Sequence, residues 1–282
     1  MILFILFLGF FSLNNSQVTN QYLPTVKNNQ VIEINNVNLL PLNVDQLSGK
    51  SILVKELRGK VLLAKNAQEQ KEIASLTKLM SAYLSFFIFR PDQIFTFTPE
   101  AINQEGDVGY FKLGQKVSRD DLIKASLIAS SNDAIYLLAQ GYGLEKFVLL
   151  MNETAKNFNL KKTVFYNPTG LNTPEKNLST AFDLSLLSEK IYSNAPSIFN
   201  WTTFDKIEIK NNVLWTTNLI LNKYKSIIVG GKTGFTPSAG ECLLLILKLP
   251  KSPFISLVIL DSKNRWQDAE EIIESLKIYY GQ

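Results

Sequence analysis

Residues 74–90 read ASLTKLMSAYLSFFIFR, and how that stretch is read decides the fold. From Leu76 to Phe89 the apolar side chains (Leu76, Leu79, Met80, Tyr83, Leu84, Phe86, Phe87, Ile88, Phe89) cover nearly the whole circumference of a helix. A helix that is apolar on all sides belongs in a protein interior. At about 15 residues, or roughly 22 Å, it is too short to span a bilayer. Its only charge before Arg90 is Lys78, three residues after Ser75. Residues at i and i+3 share a helix face, so this spacing sets a hydroxyl beside an amine on the first turn.

That pair suits nucleophilic chemistry. A serine hydroxyl at its free pKa is a weak nucleophile and needs a neighbouring base. Lysine serves as the base only when neutral, and burial lowers its pKa by disfavouring the cation. A helix N-terminus adds unpaired N–H groups and a dipole that favour developing negative charge. The same residues also read as an ordinary N-cap at Ser75, with Lys78 reaching out to solvent. Ser75–Lys78 is the one S-x-x-K in the chain.

Composition narrows the options. With 282 residues, 46% hydrophobic and 19% charged, the chain has room for a sizeable globular core in one large or two small domains. A net charge of +4 makes no dense basic face, so nucleic acid is not an expected partner. Histidine is absent, which excludes Ser-His-Asp and Cys-His machinery and every His-ligated metal site. A base must then come from Lys, Asp, Glu or Tyr. The single cysteine, Cys242, rules out an intrachain disulfide and adjoins the apolar run 243–247, where it reads as packing. No sequence feature requires a metal or an organic cofactor.

Along the chain, residues 1–16 form a short apolar block that reads as a signal peptide or N-terminal anchor. Residues 17–49 read as a polar linker with one edge strand, and residues 50–282 as one catalytic domain. Ser51–Glu56 and Lys60–Lys65 predict a hairpin. Pro91 ends the central helix, Gln93–Thr98 alternates like a strand, and Asp107 reads as a turn residue in the loop 105–115. Ser118 predicts the cap of a helix reaching Ala129. Further helices are expected over 134–139, 144–158 and 180–192. Strands follow at 204–210, 226–229, 242–249 and 254–260, before an amphipathic helix over 268–280 whose apolar positions include Ile272, Ile273, Leu276 and Ile278. Strands at both ends of a helical middle predict a mixed α/β (α+β) fold: an antiparallel sheet flanked by helices, with an all-helical subdomain inserted at about 90–200.

A further element is Ile228-Val229-Gly230-Gly231-Lys232-Thr233-Gly234-Phe235. Read as a strand ending in two glycines, it then presents a cation, a hydroxyl and another glycine. A strand edge holds an extended peptide by main-chain hydrogen bonds, and Gly234 lets that peptide approach closely. Lys232 and Thr233 suit a terminal carboxylate. The same residues also read as a plain turn. The spacing of a Walker-type phosphate loop is not met.

Ser75-Leu76-Thr77-Lys78, Ser130-Ser131-Asn132 and Lys232-Thr233-Gly234, in that order, resemble the S-x-x-K, S-x-N and K-T-G motifs of penicillin-recognising serine enzymes. S-x-N alone also fits Ser12–Asn14 and Ser262–Asn264; order and spacing give the trio its weight. The resemblance runs from about Ser51 to Tyr280. It is closest to the low-molecular-mass D-alanyl-D-alanine carboxypeptidases of the β-lactamase/transpeptidase-like superfamily.

The resemblance implies that Ser75 attacks the peptide bond between two D-alanines of a peptidoglycan stem peptide, with Lys78 accepting its proton. It implies that Ser130 relays a proton to the leaving amine, and that Asn132 orients the substrate amide and Lys78. Lys232 and Thr233 would hold the terminal carboxylate, with the Lys232 cation helping to keep Lys78 neutral. The N–H groups of Ser75 and Phe235, beside Gly234, would form the oxyanion hole. β-Lactams would acylate Ser75 as inhibitors, and the protein would act outside the cytoplasm. Three departures stand out: Thr169 where relatives often have histidine, Thr217 where some have arginine, and an end after the last helix where many relatives continue. Membrane attachment is therefore expected through the N-terminal segment. The alternatives are a serine β-lactamase, with Glu175 activating a deacylating water, or an inactive wall-binding scaffold that keeps the groove. Ser179 stands where such a lactamase loop would have asparagine, so Glu175 reads as a surface residue.

Overall fold

The computed structural model describes residues 36–106, 109–172 and 174–281. The expected leader over 1–16, the first part of the linker (17–35) and the turn residue Asp107 lie outside the described residues.

Six segments pair into one antiparallel sheet: β1 (Asn36–Asn38), β2 (Ser51–Glu56), β3 (Val61–Lys65), β4 (Ile228–Thr236), β5 (Gly240–Lys248) and β6 (Phe254–Ser262). Their order is β1-β3-β2-β6-β5-β4, so strands from both ends of the chain meet at the centre and β4 forms an edge. Side chains alternate across a strand, and both faces are covered. Leu243, Leu245 and Leu247 of β5 belong to one apolar cluster, and Cys242, Leu244 and Ile246 to the other. That is why β5 reads as an unbroken apolar run rather than an alternating one. Each such buried side chain contributes about 1.5–3 kcal/mol.

Between β3 and β4 lies the helical half: α1 (Lys78–Ile88), α2 (Arg119–Ile128), α3 (Asn132–Tyr142), α4 (Leu144–Asn157) and α5 (Ala181–Asn194). Ser118 caps α2 as expected, accepting from Asp121 N at 3.2 Å. α6 (Arg265–Tyr279) packs on the opposite face through Ile272, Ile273 and Leu276, while Ile278 is exposed. Among the described residues no single helix is long and apolar enough to cross a membrane.

Three expectations need adjusting. The linker ends before residue 49: β1 pairs with β3, and Leu40 and Leu47 are buried. The buried Asp268 carboxylate accepts from Ser48 N, Gly49 N and Ser262 Oγ at 2.8, 2.9 and 2.6 Å. The edge strand expected within 17–49 is β1, a three-residue segment that needs few apolar side chains. Next, the central helix opens with a 3-10 turn over Ala74–Thr77, and α1 begins only at Lys78. Finally, β4 does not end at its paired glycines but continues through Lys232-Thr233-Gly234 to Thr236. A Cβ at Gly230 would meet Phe199 O at 2.5 Å, and one at Gly231 would meet Leu244 O at 2.5 Å. These glycines admit neighbouring backbone; they do not turn the chain.

Candidate active site

Ser75 and Lys78 owe their alignment to the 3-10 turn, where side chains at i and i+3 eclipse. Ala74 enters that turn with φ at 44°, the left-handed region that non-glycine residues rarely adopt. Beneath it lies the turn 167–171. Gly170 has φ at 80°, and a Cβ there would sit 1.9 Å from Ala74 O, so the two backbones touch directly. Ser75 lies inside the 3-10 turn and does not cap a helix. Lys78 is fully buried, so it does not snorkel.

Lys78 Nζ is 2.7 Å from Ser75 Oγ and donates to the Thr169 carbonyl at 2.7 Å. Burial lowers its pKa to about 7. A neutral amine that donates to Thr169 keeps its lone pair for the Ser75 proton, which is the geometry a general base needs.

The opposing wall brings Ser130 and Lys232 together. Ser130 sits between α2 and α3 with φ at 63°, and Lys232 Nζ donates to its Oγ at 2.8 Å and to Thr233 O at 2.8 Å. Lys232 is 1% exposed. Its pKa is pushed well below the ordinary lysine value by burial first, then by the Lys78 and Arg265 cations. Burial lowers Lys78, and the repulsion between the two amines, which is mutual, disfavours holding a proton on both. Gly234 closes the gap between the walls, since a Cβ there would lie 3.1 Å from both Ile73 O and Ser75 N. Phe235 follows with its side chain exposed.

The family model for D-alanyl-D-alanine carboxypeptidases of the S11 peptidase type matches residues 40–264, a span that contains Ser75, Lys78, Ser130, Thr169 and Lys232. The chain belongs to this family. Among its relatives, a D-alanyl-D-alanine endopeptidase of Pseudomonas aeruginosa is 34% identical over 242 residues, covering 80% of this chain and 75% of that protein. The D-alanyl-D-alanine carboxypeptidase DacC of Escherichia coli is 31% identical, covering 79% of this chain and 59% of its own length. The chain thus spans less than two thirds of that carboxypeptidase. Penicillin-binding protein D2 of Listeria monocytogenes, solved in its cefotaxime-bound form, superposes with a TM-score of 0.75 at 28% identity, covering 83% of this chain and 98% of that one.

Asn132 starts α3, and its Nδ2 donates to Glu105 O at 2.7 Å. Ser131, the middle residue of S-x-N, caps α3 by accepting from Ala134 N at 3.2 Å. The carbonyl that holds Lys78 comes from Thr169. Thr169 donates through Oγ1 to Asn167 Oδ1 at 3.0 Å and accepts from Leu171 N at 3.2 Å, closing the turn on itself. Glu175 is exposed.

Asn177 and Arg265 escaped the sequence reading, and Thr217, noted there only for standing where some relatives have arginine, has a partner that the sequence did not show. Asn177, buried, accepts from Tyr166 N and Asn167 N at 2.7 and 3.2 Å and donates to Thr77 Oγ1 at 3.0 Å, pinning the 167–171 turn to the serine turn. Arg265 Nη1 donates to Gly234 O at 2.6 Å from the start of α6. Thr217 Oγ1 lies 2.6 Å from Thr233 Oγ1. All three lie far along the chain from the motifs they serve, so no local pattern marks them. Cys242 is buried with its thiol pushed up to about 12 by burial, which leaves it unreactive at neutral pH.

Proposed function

We propose that this protein is a serine-type D-Ala-D-Ala carboxypeptidase that removes the terminal D-alanine of peptidoglycan stem peptides through an acyl-enzyme on Ser75. The observation that carries the reading is the 2.7 Å contact between Ser75 Oγ and the buried Lys78 amine, in a chain without histidine. Lys78 takes the Ser75 proton as Oγ attacks the carbonyl carbon. The N–H groups of Ser75 and Phe235 receive the developing oxyanion, an interaction worth a few kcal/mol of barrier. Ser130, bonded to Lys232, passes a proton to the departing D-alanine amine. Lys232 and Thr233 bind the terminal carboxylate, whose negative charge favours protonated Lys232. A cation there in turn favours the neutral form of Lys78. Asn132 lines the substrate side of the cleft and orients the scissile amide. Water then hydrolyses the acyl-enzyme, and β-lactams acylate the same serine.

The catalytic domain, read from the sequence as residues 50–282 and here extended to take in β1, with its helical part at about 90–200, acts outside the cytoplasmic membrane, delivered or tethered by residues 1–16. The test is labelling by a fluorescent penicillin together with D-alanine release from diacyl-Lys-D-Ala-D-Ala. Wild type labels and releases D-alanine, and Ser75→Ala does neither. An unlabelled wild type supports the scaffold reading, and rapid turnover of nitrocefin supports a lactamase. The endopeptidase named among the relatives adds a second substrate for the same chemistry, a cross-linked peptide. Cleavage of a cross-linked dimer, measured beside D-alanine release, ranks the two.

A further inference from the structure

Two turns meet at the surface beside an open groove. The first spans 112–115, closed by Gln115 N donating to the Lys112 carbonyl at 2.9 Å, with Gly114 at φ 75°. The second joins the hairpin strands Lys206–Ile209 and Asn212–Trp215 through Lys210 and Asn211, at φ 50° and 72°. Asn212 ties the two segments together, its Nδ2 donating to the Gly109 and Tyr110 carbonyls at 3.2 and 3.0 Å. The groove between them, about 640 Å³, has Lys112, Lys116 and Lys210 on its walls, and no carboxylate among the described residues that line it. The one acid on the hairpin, Glu208, is exposed opposite Val213. Apolar side chains crowd the same surface without packing partners to bury them. Leu113 is 61% exposed inside its turn, and Tyr110 and Trp215 are each 63% exposed. Lys206 Nζ lies 5.1 Å from the centre of the Trp215 ring, across the hairpin.

Turns usually carry Gly, Asn, Asp, Ser or Pro, so a leucine inside one and flanked by lysines calls for a partner. A soluble polyanion would pair with the lysines and leave Leu113 in water. An anionic bilayer accommodates both kinds of side chain. Lysines near its surface are drawn to the headgroups, Trp and Tyr sit at headgroup level, and an apolar tip enters the acyl boundary. We propose that these two turns form a docking surface for an anionic lipid bilayer, with Lys112, Lys116 and Lys210 on the headgroups and Leu113, Tyr110 and Trp215 at the interface. The contact does not depend on the carboxypeptidase reading. It is also separate from tethering by residues 1–16, which as an apolar block without charge would not distinguish neutral from anionic lipid.

The experiment places a polarity-sensitive dye on Leu113→Cys in the full chain, where the buried Cys242 does not compete for the label. The same dye on Ile278→Cys, at an exposed position of α6, is the reference. Each protein meets vesicles of phosphatidylcholine, with or without phosphatidylglycerol, and thermal melts check folding. The dye at 113 is expected to brighten and shift to the blue on phosphatidylglycerol vesicles alone, and to lose that signal in high salt. The dye at 278 is expected to stay as in water. Adding Lys112→Gln, Lys116→Gln or Lys210→Gln should each weaken the contact about fivefold. No signal on either vesicle, equal brightening on neutral lipid, equal brightening at 278, or a signal indifferent to the three lysines each overturns the proposal. So does a dye that stays dark on vesicles while inorganic polyphosphate raises the wild-type melting temperature and not that of the lysine variants, which would give the lysines to a soluble polyanion.

Discussion

Two lysines in this cleft are equally hidden from water yet held for different tasks. Lys78 opens α1 just after the 3-10 turn, and burial lowers its pKa to about 7. Lys232 sits on the edge strand β4, where burial is joined by repulsion from Lys78 and Arg265. The first environment makes a base mainly by burial. The second makes an anion site, since an arriving carboxylate relieves the repulsion that depresses Lys232. The comparison teaches that the base is built by the turn beneath it, and the anion site by the charges around it.

Removing the base has the largest effect. Lys78→Met is expected to slow penicillin acylation by about 10²- to 10⁴-fold, read by stopped-flow or gel labelling; acylation within a few-fold of wild type would identify another base. The same variant should melt higher than wild type. An unfolded lysine titrates near 10.5 and folded Lys78 near 7. Between those values the unfolded chain holds the extra proton, so wild-type stability rises with pH. Below about 7 the folded state carries a buried cation at full cost. The gain in melting temperature on Lys78→Met should therefore be greatest in acid and shrink towards pH 10; a gain independent of pH would contradict the assignment.

Lys232→Met tests the other half of the comparison. It should raise KM for the acid peptide by about 10- to 100-fold, the scale of a lost charge-assisted bond, while the midpoint of the pH–acylation profile moves upward by less than about one unit as the neighbouring cation is lost. A midpoint displaced upward by more than about one unit would mean that the Lys232 charge, not burial, sets Lys78. The smallest effect is structural. Gly170→Ala places a Cβ against Ala74 O at left-handed φ, and should cost about 1–3 kcal/mol of stability. Acylation should slow with it as the Thr169 carbonyl moves from Lys78. Calorimetry and labelling of one preparation check both, and an unchanged melt with normal acylation would show that the turn does not hold the amine.

Much of the fold was legible because burial leaves periodic marks. The all-round apolar helix, the capping Ser118 and the continuous runs of β5 and β6 needed no tertiary knowledge. Ser75, Lys78, Ser130 and Lys232 also meet as their spacing and order suggested. What stayed hidden depends on contacts distant in sequence. Asn132 turned to Glu105, and Thr169 supplied a backbone carbonyl, an atom every residue has and no pattern advertises. Gly230 and Gly231 looked like a strand end because crowding by Phe199 and Leu244 leaves the same residue type as a turn does.

The claim beneath all of this is that Lys78 is neutral at working pH and draws the proton from Ser75. The second-order rate of penicillin acylation, followed from about pH 5 to pH 10, tests it most directly. A rate that rises with pH to a plateau, with its midpoint at about 7, is the expected result. A rate flat across that range, or one still rising past pH 9 as an ordinary solvent-exposed lysine would require, contradicts it.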